Sequence, residues 1–212
     1  MQIWESFARP MEIQDKQDDC IENLDELTSD FQLDLREMQT KLNQDIEEIE
    51  KEFEDLKLYE YLNQHLEASR KTEKLGDRID ETIKIANICN RREKLFGQLE
   101  TDFSGMKTVQ EKFEPFHKLW LLASQYYSSV ASWMEGEIFH MDGEELPKTI
   151  DEAILTLKVL KNKHFRDQYQ TGLICQELRE LYMEMKPYMP ILSSFKNPDF
   201  KIRHYEIIEK DH

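Results

Sequence analysis

The chain has 212 residues, 44 Asp and Glu against 28 Lys and Arg, a formal net charge of −16, and only 6 Gly and 6 Pro. That length suffices for one large domain or two small ones, and so few breakers cannot punctuate the many short strands of a sandwich or barrel. The acidic excess repels phosphate backbones and anionic headgroups, so neither nucleic acid nor a membrane is expected as a partner.

Other features place the chain in the same class. No apolar run approaches the roughly 18 residues a membrane helix needs. The first residues lack a basic n-region and an apolar h-region, so no signal peptide is expected. Cys20, Cys89 and Cys175 are an odd number without CxxC spacing, which suits a reducing cytosol. The expectation is a soluble, intracellular, helical chain.

Taken in chain order, the first element is long. Between Pro10 and Gly76 there is no Gly or Pro, and Cys20, Leu24, Leu27, Phe31, Leu35, Met38, Leu42, Ile46, Ile49 and Phe53 recur at 4-3-4 spacing. This eleven-residue repeat fits a nearly straight helix in a bundle better than a heptad zipper. A continuous helix is expected from Met11 to Ala68, roughly 85 Å long, and it cannot bury its stripe alone. Glu12 to Glu60 holds 18 acidic and 5 basic residues. Such a surface is either a solvated exterior or a docking face for a basic partner.

A second helix is expected from about Thr72 to Leu95, with Gly76 a possible kink and Gly97 in a left-handed cap. Thr101 or Asp102 then caps a third, from Ser104 to Glu135, which Pro115 should kink or split. Residues 136–147 read as a loop with Asp142 as a cap. A fourth helix is expected from about Glu144 or Lys148 to Phe165, and a fifth from about Asp167 to Met185. Pro187, Pro190 and Pro198 break the tail into short helices and turns, whose many apolar residues suggest an unfinished docking element. The fold class is all-α, an elongated antiparallel helical bundle with one long N-terminal helix.

Little in the sequence carries chemistry. Gly105-Met-Lys-Thr is not a phosphate-binding loop, because Met106 separates Gly from Lys and no Gly lies five residues upstream. Glu-x-x-His occurs at Glu114–His117, Glu137–His140 and Glu209–His212, the pairing used by carboxylate-bridged metal bundles. The first two pairs would lie about 34 Å apart on a helix, and Glu114 precedes a proline, which biases it away from helix. Surface or capping histidines are expected, with no metal and no cofactor. Trp120 and Trp133, with Phe113, Phe116, Tyr126 and Tyr127, are read as core.

Several strings are more specific. Asn90-Arg91-Arg92-Glu93-Lys94-Leu95-Phe96-Gly97 is followed by Thr101-Asp102-Phe103, then by Phe113-Glu114-Pro115-Phe116-His117-Lys118-Leu119-Trp120 and by Trp133. The end reads Met189-Pro190-Ile191-Leu192, Asn197-Pro198 and Lys201-Ile202-Arg203-His204-Tyr205. In order and spacing these resemble dynein heavy chains, of the axonemal more than the cytoplasmic type, where the tail runs into the linker. The resemblance holds from about Ile85 to Ile208, and Tyr205 stands where the family usually has Trp.

The resemblance implies a mechanical role. Dynein heavy chains are microtubule motors whose linker lies across a ring of AAA+ modules and bends as nucleotide turns over. It implies residues 1–75 as a long acidic tail-type helix and 76–212 as a bundle like the start of the linker. It also implies a non-catalytic segment transmitting force between ring and tail, with Trp120, Trp133, Arg203, His204 and Tyr205 as structural residues. The implied partners are the remainder of the heavy chain with its AAA+ ring, and accessory dynein chains on the acidic helix. No direct microtubule contact is implied, and the implied location is the ciliary axoneme. The alternative is a free-standing helical scaffold or tethering protein.

Overall fold

The computed structural model describes the backbone of residues 2–135 and 145–190, and within them the side chains of residues 12–130 and 146–190. Among the described residues every regular element is helical. The helices are α1 (Gln2–Leu56), α2 (His65–Leu95), α3 (Ser104–Glu135), α4 (Glu145–Val159) and α5 (Tyr169–Met185). Short 3-10 turns span Leu62–Gln64 and Lys186–Tyr188, and a π-helical turn spans Leu160–His164. The all-α class holds. No described helix is long and apolar enough to cross a membrane.

The helix boundaries differ from those expected. α1 starts at Gln2, passes through Pro10, and stops at Leu56 rather than continuing to Ala68. The break contains neither Gly nor Pro, so local propensity did not mark it. Tertiary packing explains it: Leu56 and Leu62 are both buried while Leu58 and Tyr61 between them are exposed. The helix winds down through Lys57 N–H to Glu54 O and Leu58 N–H to Asp55 O, both 3.2 Å. The Gln64 side chain then accepts from the Tyr61 N–H at 3.3 Å and starts the next element. Tyr59 fixes the turn, its ring edge-on to Trp120 at 6.0 Å and its hydroxyl donating to Glu67 at 2.9 Å.

α2 accordingly begins before Thr72 and runs unbroken through Gly76. α3 is likewise one helix with Pro115 inside it, neither split there nor non-helical at Glu114. Pro115 is itself buried, as are Phe113 and Phe116 on the same turn, and burial of this stretch of α3 offsets the missing backbone donor. α4 ends at Val159, and the chain leaves it through the π-turn, where Phe165 N–H reaches Leu160 O at 2.9 Å. The loop expected at residues 136–147 ends early, because α4 already begins at Glu145; residues 136–144, with Asp142, and the tail from 191 onward lie outside the described residues.

The chain divides into two compact units, residues 1–48 with 80–106, and residues 49–79 with 107–212. In the first, α1 and α2 run antiparallel around Leu35, Leu42, Ala86 and Cys89, with Met38, Ile46, Ile85, Phe96 and Phe103 packed against them. In the second, an aromatic series forms the core. Phe53 meets Phe113 and Phe116 edge-on at 6.0 and 5.4 Å, and Phe116 meets Phe165 at 4.9 Å. Tyr126 meets Tyr182 at 5.0 Å, and the Tyr182 hydroxyl donates to Leu122 O at 3.0 Å.

Gly76 needs none of its conformational freedom here. A Cβ at that position would sit 3.5 Å from the Phe113 ring, an ordinary contact. Gly76→Ala is expected to raise stability by about 0.5–1 kcal/mol, whereas Leu42→Ala should lower it by about 2–5 kcal/mol. Urea denaturation of both variants checks the pair. A destabilising Gly76→Ala would mean that α2 and Phe113 are closer than described.

Candidate functional site

The string Arg91–Phe103 folds into a polar node inside the first unit. Ala86, Cys89 and Glu93 recur at 3-4 spacing, so Glu93 falls on the buried face of α2 and is 0% exposed. A carboxylate there requires donors. It receives them from three parts of the unit. The Thr101 N–H donates to Oε2 at 2.6 Å, and the Thr101 hydroxyl to Oε1 at 2.5 Å. Gln39 on α1 donates to Oε1 at 2.6 Å, and the Cys89 thiol approaches at 3.8 Å.

The backbone around this carboxylate closes in a Schellman cap. Gly97 has φ +65, its N–H reaches Lys94 O at 3.1 Å, and Gln98 N–H reaches Glu93 O at 2.9 Å. Gly97 is thus the left-handed cap expected of it. Asp102, rather than Thr101, starts α3, accepting from the Ser104 N–H at 2.8 Å. Thr101 is already committed to Glu93. Burial opposes the Glu93 charge, but hydrogen bonds from Thr101, Gln39 and Cys89 outweigh it and hold the carboxyl below its ordinary range. Burial and the Glu93 charge push the Cys89 thiol up.

In the second unit Trp120 is 1% exposed, and its indole N–H meets no acceptor among the described residues. In the same unit, His65 stacks on Tyr127 at 3.9 Å. Burial raises the Tyr126, Tyr127 and Tyr182 hydroxyls, and pushes the Cys175 thiol up to about 12. Neither buried cysteine is a thiolate at neutral pH, so neither is a ready nucleophile. Trp133, Arg203, His204 and Tyr205, the other residues given a structural role, lie outside the described side chains.

The Glu114–His117 pair does not converge. Glu114 binds Lys118 at 2.7 Å, while His117 stacks on Phe113 at 5.6 Å. The Lys118 hydrogen bond and charge hold Glu114 below its ordinary value. Among the described residues no three His, Cys, Asp or Glu side chains are placed to hold a metal, and the other two Glu-x-x-His pairs lie outside the described side chains. A cleft of about 260 Å³ between α3, α4 and the π-turn is walled by Pro115, Leu155, Val159 and Leu160, with Lys118 and His164 at its rim. Its one carboxylate–amine pair is an ordinary helical salt bridge.

Sequence reasoning missed Glu93 and Gln39 as a tertiary bond. The 3-4 spacing of Ala86, Cys89 and Glu93 carried the signal for the first. The π-turn had no comparable signal, being set by how α4 and α5 pack.

Residues 106–212 match the family model described as dynein heavy chain, N-terminal region 2. Among similar proteins, dynein axonemal heavy chain 1 of Homo sapiens is 29% identical over 150 residues, covering 68% of this chain and 4% of that protein. Dynein axonemal heavy chain 3 of Mus musculus is 23% identical over 180 residues, covering 84% and 4%. Dynein axonemal heavy chain 6 of Homo sapiens is 21% identical over 198 residues, covering 88% and 4%. The chain therefore spans about 4% of the length of these relatives.

The node gives a pH-dependent expectation. The native Glu93 pKa lies below the ordinary 4.5, so its stabilisation is present above that value and lost as pH falls through the native pKa. Glu93→Gln turns an amide N–H₂ toward existing donors and should cost roughly 1–3 kcal/mol at neutral pH. The gap between parent and variant should shrink below pH 4.5. Denaturant titrations across that range check it, and a gap that widens toward acid would contradict the assigned charge.

Proposed function

The chain belongs to the dynein heavy chain family, and on that premise we propose that it is a non-catalytic mechanical segment at the junction of tail and linker. In this reading it transmits force between an AAA+ ring elsewhere in the heavy chain and the tail. Its partners are the remainder of that heavy chain and accessory dynein chains on the acidic helix, and its place is the ciliary axoneme. The segment itself makes no direct microtubule contact.

The observation that carries this reading is the family match over residues 106–212, which falls on the ring-packed unit. Force transmission demands elements that resist bending, and close-packed interiors have low compressibility. Each edge-to-face ring pair adds roughly 0.5–1.5 kcal/mol beyond its buried area. The Phe53–Phe116–Phe165 and Tyr126–Tyr182 contacts tie α1, α3, α5 and the residue after the π-turn together in this way, and the Tyr59–Trp120 contact anchors the turn between α1 and α2. The Trp120 indole holds the centre of that contact and is the residue we assign to stiffness.

The test is made in the whole motor. Trp120→Phe keeps an aromatic ring but removes volume from the contact with Tyr59. Microtubule gliding driven by the variant motor is expected to slow severalfold, with basal ATP turnover within about twofold of the parent. Unchanged gliding, or ATP turnover that falls in step with it, would contradict a segment that only transmits force.

A further inference from the structure

The apolar stripe of α1 does not end where its burial ends. At 100° per residue, Ile13, Cys20, Leu24, Leu27 and Phe31 fall on the same face as Leu35, Met38 and Leu42. Leu35 and Leu42 are each 1% exposed, yet Leu24, Leu27 and Phe31 are 61%, 51% and 54% exposed. The reason is the length of α2. Gln39 lies opposite Glu93, and α2 ends at Leu95, so its last residue stands opposite roughly residue 37 of α1. Within the first unit nothing further along α2 remains to cover the stripe.

The charge on this stretch restricts what can. Residues 12–34 hold nine Asp and Glu and one basic residue, Lys16. Among the described residues none of these carboxylates is in an ion pair, and Asn23, Thr28 and Ser29 hydrogen-bond only to their own helix. A second copy of the chain would bring nine acids against nine, a repulsion that apolar contact would have to overcome. Phosphate backbones and anionic lipid are repelled in the same way.

We propose that the Ile13–Phe31 face of α1 binds an amphipathic helix rich in lysine and arginine. The partner helix presents apolar residues at 3-4 spacing to Leu24, Leu27 and Phe31, and its flanking cations face Glu12, Asp30 and Asp34. A segment of about 18 residues, roughly 27 Å long, covers the face. The stripe supplies affinity, and the unpaired carboxylates supply attraction and select against acidic competitors. This names the chemistry of an accessory partner and rests on the proposed function only for that partner's place in a motor.

The experiment uses the 212-residue chain and a fluorescent synthetic 21-residue helix of Leu, Ile and Lys. Two control peptides accompany it, one with the same composition but scrambled apolar order, one with Glu in place of Lys. Fluorescence anisotropy at about 50 mM salt is expected to show saturable binding of the first peptide alone. Binding should weaken by at least about tenfold at roughly 300 mM salt, where exposed charges are screened. The combined variant Leu24→Gln, Leu27→Gln and Phe31→Gln should weaken it by a further tenfold or so, because the apolar area is lost while helix propensity is kept. These residues are exposed, so unchanged circular dichroism is expected in the variant. Equal binding of the scrambled peptide, or parental binding by the triple variant, would overturn the proposal. Sedimentation showing a dimer of the parent that the triple variant cannot form would overturn it in favour of a second copy. Because the measurement uses the isolated chain, its failure leaves the gliding assay, and hence the mechanical reading, standing.

Discussion

One helix cannot bury its own apolar stripe, and α1 carries a stripe far longer than any single neighbour covers. Where α2 returns alongside it, Leu35 and Leu42 are sealed and the first unit acquires a core. At its C-terminal end, Phe53 passes into the second unit and becomes the partner of Phe113 and Phe116. The remaining elements can be read as ways of supplying cover for that stripe. Both the turn at residues 57–61 and the passage of α3 through Pro115 follow from burial of apolar side chains against it, against local backbone preference.

The node at Glu93 adds specificity to this apolar contact. Hydrophobic stripes on two helices slide with little penalty, whereas a buried carboxylate has one register in which its donors are present. Gln39 from α1 and Thr101 from the loop satisfy Glu93 together. A one-turn slip of α1 along α2 would take the Gln39 donor away from this buried carboxylate, a cost of the order of one charged hydrogen bond. The Schellman cap at Gly97 then sets the path of the loop that carries Thr101 to the carboxylate.

Much of the helix content was legible, because the 4-3-4 spacing along α1 is long and regular and Gly97 occupies a position that only a left-handed cap explains. The all-α class followed from the scarcity of breakers. The boundaries were less legible where tertiary packing overrode local preference. Tyr59 breaks a helix only because Trp120, sixty-one residues away, gives its ring a place to pack. Pro115 sits inside a helix because the rings on either side of it in sequence, Phe113 and Phe116, are packed against Phe53 and keep that stretch of α3 in place. Glu93 is one of 44 acidic residues, and only its spacing from Ala86 and Cys89 marks it as interior. In the family string, Asn90 to Phe103, the resemblance pointed to the right residues without showing what they do, which is to make a tertiary bond.

The division of α1 at Leu35, with a sealed stripe beyond it and an open one before it, is the claim on which the first unit and its proposed partner both depend. Native-state hydrogen exchange, read amide by amide along α1 by mass spectrometry, tests it most directly. Amides of residues 36–48, in the segment that α2 covers, should open only with the first unit as a whole. Those of residues 13–31 should exchange orders of magnitude faster through local unwinding. Protection that is uniform along α1 would contradict the account, because an uncovered stripe cannot confer it.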